Sequence, residues 1–294
     1  MQPFHDLSLT PATFRSVAAG IGFTEGPARS GTSDVLVTSM TRGLVYRVAL
    51  SGDGAEEFAE TGGGPNGLAV GTEGDLLVMQ SGATVMPTRS AVPAQPGIQR
   101  IAADGTVSTV TTDVHSPSDG VLGPDGRLWF TDPSAHDLDS TTGTGAVRAL
   151  DLSTGVMADV ITGLAFPNGL AFAADGTRLF VAETGARWIR RYDLSGGAAT
   201  PDGWIARMPE GHPDGLALDA LGRVWVAGST GANIVVFGTD GTVAGTIDFP
   251  AGHMVTSLCF AGEDLRTLVV TMPKGGQVLA APVDCPGLPL PVMR

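Results

Sequence analysis

Six polar residues recur at one position of a repeated pattern, and their side chains are of a kind that does chemistry. Each stands 10 or 11 residues ahead of a short apolar run. Glu25 precedes Val35-Leu36-Val37, Asn66 precedes Leu76-Leu77-Val78, and Ser118 precedes Leu128-Trp129-Phe130. Asn168 precedes Leu179-Phe180-Val181, Asp214 precedes Val224-Trp225-Val226, and Ser257 precedes Leu268-Val269-Val270. The set holds two carboxylates, two carboxamides and two hydroxyls. All are hard oxygen donors, which select calcium, magnesium or manganese over zinc or copper. Two like charges at one place are unfavourable without a cation or a shared proton. The competing reading is a water-filled channel lined by satisfied polar groups.

The elements that must position these residues are β-strands. Turns such as Asp125-Gly126 and Asp175-Gly176, followed by β-branched and aromatic residues, are hairpin signals. The apolar runs lie roughly 40 to 52 residues apart, the length of a propeller blade. Six units predict an all-β chain, a six-bladed β-propeller, as one domain over residues 1–294; the hard oxygen donors are what make a central metal channel the expectation. A β-sandwich has no reason to repeat at this period. The innermost strand of each blade lines the channel, so the six polar residues should face its axis at one depth. Gly-Leu-Ala after Asn66 and Asn168 permits close approach of backbones there. Residues 14–18 are expected to pair beside the strand at 277–283 and close the ring. Trp129 and Trp225 occupy equivalent strand positions and should be core.

Composition excludes several function classes. The chain has 294 residues and a net charge of −13, and Lys274 is its only lysine. Without a basic stripe, neither nucleic acid nor an anionic membrane is an expected partner. No apolar run approaches the roughly 20 residues of a membrane span. The start, with no basic and apolar leader, predicts no signal peptide. Cys259 and Cys285 are too few for a disulfide framework or a zinc site and suggest two reduced thiols in a cytoplasmic protein. Neither a phosphate loop nor a Gly-x-Ser-x-Gly elbow is present. A small-molecule substrate is expected, and no protein partner is implied.

Loops leaving the second strands should surround the mouth of the channel. The longest fall at 80–97, with Arg89, and at 133–146, with His136, Asp137 and Asp139. Long Pro- and Gly-rich loops on a rigid scaffold commonly carry specificity. His212, two residues before Asp214, is a candidate proton shuttle or substrate contact. His115 and His253 are further rim candidates, and His5 in the N-terminal tail is expected to be idle.

Five segments together resemble the SMP-30/gluconolactonase/LRE-like family. They are Glu25-Gly26-Pro27-Ala28, Asp125 to Pro133, Phe166-Pro167-Asn168-Gly169-Leu170-Ala171-Phe172, Pro213-Asp214-Gly215-Leu216-Ala217-Leu218-Asp219, and Thr256 to Gly262. Each is weak alone, but their order and spacing over roughly residues 15 to 280 are specific. The resemblance implies a propeller with one central divalent cation, calcium first, held by Glu25, Asn168 and Asp214. It also implies hydrolysis of a lactone or related ester, with Asp214 as catalytic base. Two departures stand out. Ser118-Asp119 replaces the family's Asn-Asp, and Arg29 stands where the family has Trp. Asn66 is placed to compensate for Ser118. Asn66, Ser118, Asp119, His212, Arg89 and His136 are the expected substrate contacts. The alternatives are a metal-dependent isomerase or cyclase on the same fold, and a non-catalytic binding propeller.

Overall fold

The computed structural model describes residues 9–289; His5 and the start of the chain lie outside them. Beyond a 3-10 turn at Pro11–Thr13, every regular element among the described residues is a strand. The first, β1 (Arg15–Ala18), is set apart from the four-stranded units that follow. Blade 1 holds β2–β5 (Thr24–Ser30, Asp34–Ser39, Leu44–Ala49, Ala55–Glu60). Blade 2 holds β6–β9 (Pro65–Val70, Leu76–Ser81, Pro96–Ile101, Val107–Thr111). Blade 3 holds β10–β13 (Gly120–Leu122, Leu128–Asp132, Gly145–Leu150, Met157–Leu164). Blade 4 holds β14–β17 (Pro167–Phe172, Arg178–Glu183, Trp188–Asp193, Thr200–Arg207). Blade 5 holds β18–β21 (Pro213–Leu218, Val224–Gly228, Asn233–Phe237, Val243–Asp248). Blade 6 holds β22–β24 (Ser257–Ala261, Thr267–Met272, Gln277–Pro282), and β1 supplies its outer strand.

The structure is a six-bladed β-propeller. The expected closure holds: Arg15 pairs with Ala280, Ser16 with Leu279 and Ala18 with Val278. Joining the first strand to the last blade ties the ring shut through a ladder of main-chain hydrogen bonds.

The second strands read as continuous apolar runs because blades cover both of their faces. Every residue of β7, β11 and β19 is buried. The core therefore lies between blades. Trp225 is fully buried and meets Phe260 of blade 6 edge-to-face at 5.7 Å; Trp129 meets Phe172 of blade 4 at 5.3 Å. Both tryptophans are core, as their equivalent positions predict.

The C-terminal segment crosses the lower end of blades 5 and 6. Leu288 N–H donates to Leu218 O (2.8 Å) and Gly287 N–H to Leu265 O (2.9 Å). Cys259 and Cys285 are not joined by a disulfide. Among the described residues no helix is long and apolar enough to cross a membrane.

Candidate active site

Glu25, Asn66, Ser118, Asn168 and Ser257 line one pocket in the channel, and Asp214 stands beside Asn168. Glu25, Asn66, Asn168, Asp214 and Ser257 stand at or near the start of the five inner strands β2, β6, β14, β18 and β22, and Ser118 just ahead of β10. All six are buried. Threonines at the ends of neighbouring strands hold their backbones. Thr38 Oγ1 donates to Asn66 O (2.7 Å), Thr184 Oγ1 to Pro213 O (2.7 Å), and Thr271 Oγ1 accepts Ser257 N–H (3.0 Å).

A run of side-chain hydrogen bonds passes through three blades. Asn66 Nδ2 donates to Ser118 Oγ (3.2 Å), and Ser118 Oγ to Asn168 Oδ1 (2.9 Å). Asn168 and Ser229 are the polar side chains beside the Asp214 carboxylate that favour its charged form, and Ser229 Oγ donates to His212 O (3.3 Å). An amide oxygen has two lone pairs, so Ser118 leaves one on Asn168 Oδ1 for another partner.

The electrostatics are unbalanced. Burial, and then the charge of Asp214, hold the Glu25 carboxyl well above the usual carboxylate range. Burial, and then the charge of Asp119, do the same to Asp214. Burial pushes Asp119 up to about 7. Among the described residues, no guanidinium, ammonium or imidazolium is one of the groups acting on Glu25 or Asp214. Among the described residues, no group of three or more His, Cys, Asp or Glu side chains is placed to hold a metal. The ring brings two carboxylates together and completes the set with neutral oxygens. Glu25, Asn168 and Asp214 are the residues that could hold a hard divalent cation, and the all-oxygen set suits one.

The other expected site residues separate into three groups. Ser118 and Asn66 line the ring itself. Asp119 lies one residue deeper and borders both the ring and the cavity beneath it, so it forms floor rather than mouth. That cavity, of about 120 Å³, is the opposite half of the channel; Leu68, Leu170, Phe172 and Phe260 give it apolar walls, and Arg29 lines it too.

His136 and His212 are on the mouth side. The two long loops leave the second strands on that side, over 82–95 and 133–144. His136 Nε2 lies 3.0 Å from Ser116 O, and its ring packs on Phe166 at 4.8 Å. A carbonyl only accepts, so Nε2 carries the proton. Burial lowers the His136 pKa. His212 Nδ1 lies 2.7 Å from Thr230 Oγ1; burial, and then the charge of Arg187, lower its pKa. Arg89 is not brought to the ring: it is exposed, and its backbone N–H is tied to Thr41 O (2.8 Å) over the blade 1 turn. His115 is 69% exposed and caps Asp132, while His253 bonds Pro250 O in its own loop.

Three positioning residues escaped the sequence reading. Gln80, Asp132 and Glu183 each stand four residues after the leucine that opens an apolar run, and all are buried. Asp132 accepts His115 N–H (3.0 Å), Ser116 N–H (2.9 Å) and Arg148 Nη1–H (3.1 Å), which fixes the segment leading into Ser118. Glu183 accepts Ala165 N–H (3.0 Å) and Trp188 Nε1–H (2.8 Å); Gln80 accepts Gly64 N–H (2.8 Å). A polar residue ending an otherwise apolar run was the available signal.

A family model described as the SMP-30/Gluconolactonase/LRE-like region matches residues 23–274. The chain belongs to the SMP-30/gluconolactonase/LRE-like family. Pentonolactonase XacC of Haloferax volcanii is 36% identical over 55% of this chain, which spans 56% of that relative. A gluconolactonase of Zymomonas mobilis is 26% identical over 87% of this chain and 77% of its own length. Two solved structures share the fold. A gluconolactonase from Xanthomonas campestris has a TM-score of 0.76 at 23% identity, over 92% of this chain and 89% of that one. The calcium-binding protein regucalcin from Agrobacterium tumefaciens has a TM-score of 0.72 at 19% identity, over 96% and 98%.

Proposed function

We propose that this protein is a lactone hydrolase that works with one divalent cation held by Glu25, Asn168 and Asp214. The observation that carries the reading is the pair of buried carboxylates in an all-oxygen ring, on which no cationic side chain among the described residues acts. The lactonase names of the two relatives support the reaction class. Calcium is the first choice, because it accepts irregular sets of oxygens, with magnesium and manganese next.

A bound cation would polarise the lactone carbonyl and offset the negative charge of the ring. The protein's own groups do the rest. Asp214 takes a proton from the water that attacks the carbonyl carbon. The ring C–O bond then breaks, and that proton passes to the departing oxygen, giving a hydroxy acid. Asn168 and Ser229 stand beside the Asp214 carboxylate and favour its charged form. Asn66 and Ser118 present polar groups beside it for the substrate's hydroxyls, and His136 with Phe166 walls the mouth. Two cysteines with no disulfide between them accord with a reducing, cytoplasmic setting.

A panel of five- and six-membered sugar lactones, offered to cation-loaded protein and followed by product mass, tests the reading. At least one should gain the mass of one water and release acid. Conversion without added water would instead indicate an isomerase or cyclase, and no conversion by loaded protein would remove the hydrolase.

A further inference from the structure

Four blades join their second and third strands by the same four-residue turn, at 40–43, 184–187, 229–232 and 273–276. The last residue of each is left-handed: Gly43 (φ 66°), Arg187 (φ 58°), Ala232 (φ 51°) and Gly276 (φ 59°). Glycine takes that conformation freely, and a residue with a Cβ is disfavoured in it. Blades 1 and 6 use glycine. Blade 4 places an arginine there, on the mouth side of the channel and beside the segment that carries Asp214.

The position of its guanidinium is fixed. Arg187 Nε donates to Gly211 O (3.0 Å), three residues before Asp214. Next to it, Thr230 holds His212 by Nδ1, which leaves Nε2 as the outer nitrogen. Three other arginines of the blade are paired with carboxylates, Arg178 with Asp175, Arg190 with Glu183 and Arg191 with Asp202. Among the described residues no carboxylate forms an ion pair with Arg187, and its side chain is exposed. Asp139, on the 133–144 loop, is the acidic group acting on the same rim. In a chain of net charge −13, a fixed cation at the mouth is a local exception that can receive an anion.

We propose that Arg187, with His212 beside it, forms an anion subsite at the mouth, so that the preferred lactone carries a second acidic group. The guanidinium fork takes a carboxylate by two parallel hydrogen bonds. The subsite deepens the lactonase reading and rests on it for the word lactone, but its binding preference is measurable without turnover.

The test is calorimetric titration of two open-chain sugar acids of equal length, a monoacid and a diacid, into cation-loaded wild type and Arg187→Gly. Glycine is the residue this turn takes in two other blades, so the variant should fold. Circular dichroism checks that, and Arg187→Lys serves as the charge-keeping control. The diacid should bind wild type roughly tenfold more tightly than the monoacid. Arg187→Gly should erase the difference, and Arg187→Lys should keep part of it. Equal affinities in wild type, a preference unchanged in Arg187→Gly, or no binding of either acid would overturn the subsite. A diacid preference lost in Arg187→Gly, in a protein that opens no lactone, would support the subsite and remove the hydrolase. Neutral lactones opened with no diacid preference would do the reverse.

Discussion

Asp214→Asn should lower lactone turnover about a thousandfold while leaving the propeller folded, the size expected when a positioned base is removed. The substitution keeps the shape and one acceptor oxygen, so Asn168 and Ser229 can keep their places beside it. It removes a buried charge whose neighbours, Glu25 and Asp119, are also acidic. Stability should therefore hold or rise. Initial rates on the best lactone, set beside the thermal unfolding curve, check both halves. Full activity would take Asp214 out of the chemistry, and an unfolded variant would make its role structural.

The second large effect is on stability. Asp219→Ala should destabilise the protein by about 3–5 kcal/mol, the range for breaking a buried ion pair from one side. Asp219 is fully buried, and Arg223 is 2% exposed. One carboxylate oxygen accepts Leu221 N–H and Arg223 N–H, both at 3.0 Å. The other accepts Arg223 Nε–H (2.5 Å) and Trp225 Nε1–H (2.8 Å). Removal leaves a guanidinium and an indole N–H in the core without that acceptor. Blade 3 carries the internal control. Asp125 holds Arg127 and Trp129 in the same way, but its side chain is 36% exposed. Water can replace it, so Asp125→Ala should cost much less than Asp219→Ala. Urea unfolding of the two variants makes the comparison, and equal losses would contradict it.

What was legible in the sequence is what repeats. The six ring residues, the six blades and the pairing of β1 with β24 follow from one offset and one period, because every blade must deliver its inner strand to the same axis. What was not legible depends on single paths of the chain. Arg89 was expected at the mouth, but periodicity does not encode how a long loop runs, and its residues lean on the blade 1 turn. Both long loops are shorter than expected, because Gln80, Ser81, Pro96 and Gly97 extend one ladder and Gly145 and Ala146 the other. Asp119 was expected to meet substrate. It follows Ser118 directly and stands a step deeper in the channel, so it forms the floor. Asp132 and Glu183 were read only as the ends of strands; their burial, invisible in the sequence, is what makes them anchors.

The central claim is that the ring is a cation site. Elemental analysis of protein purified without a metal-affinity tag, beside a Glu25→Gln/Asp214→Asn double variant, tests it most directly. The account predicts close to one equivalent of a divalent ion per wild-type chain and almost none in the variant. Wild-type protein that holds no ion, even after equilibration with calcium, magnesium and manganese, would contradict it.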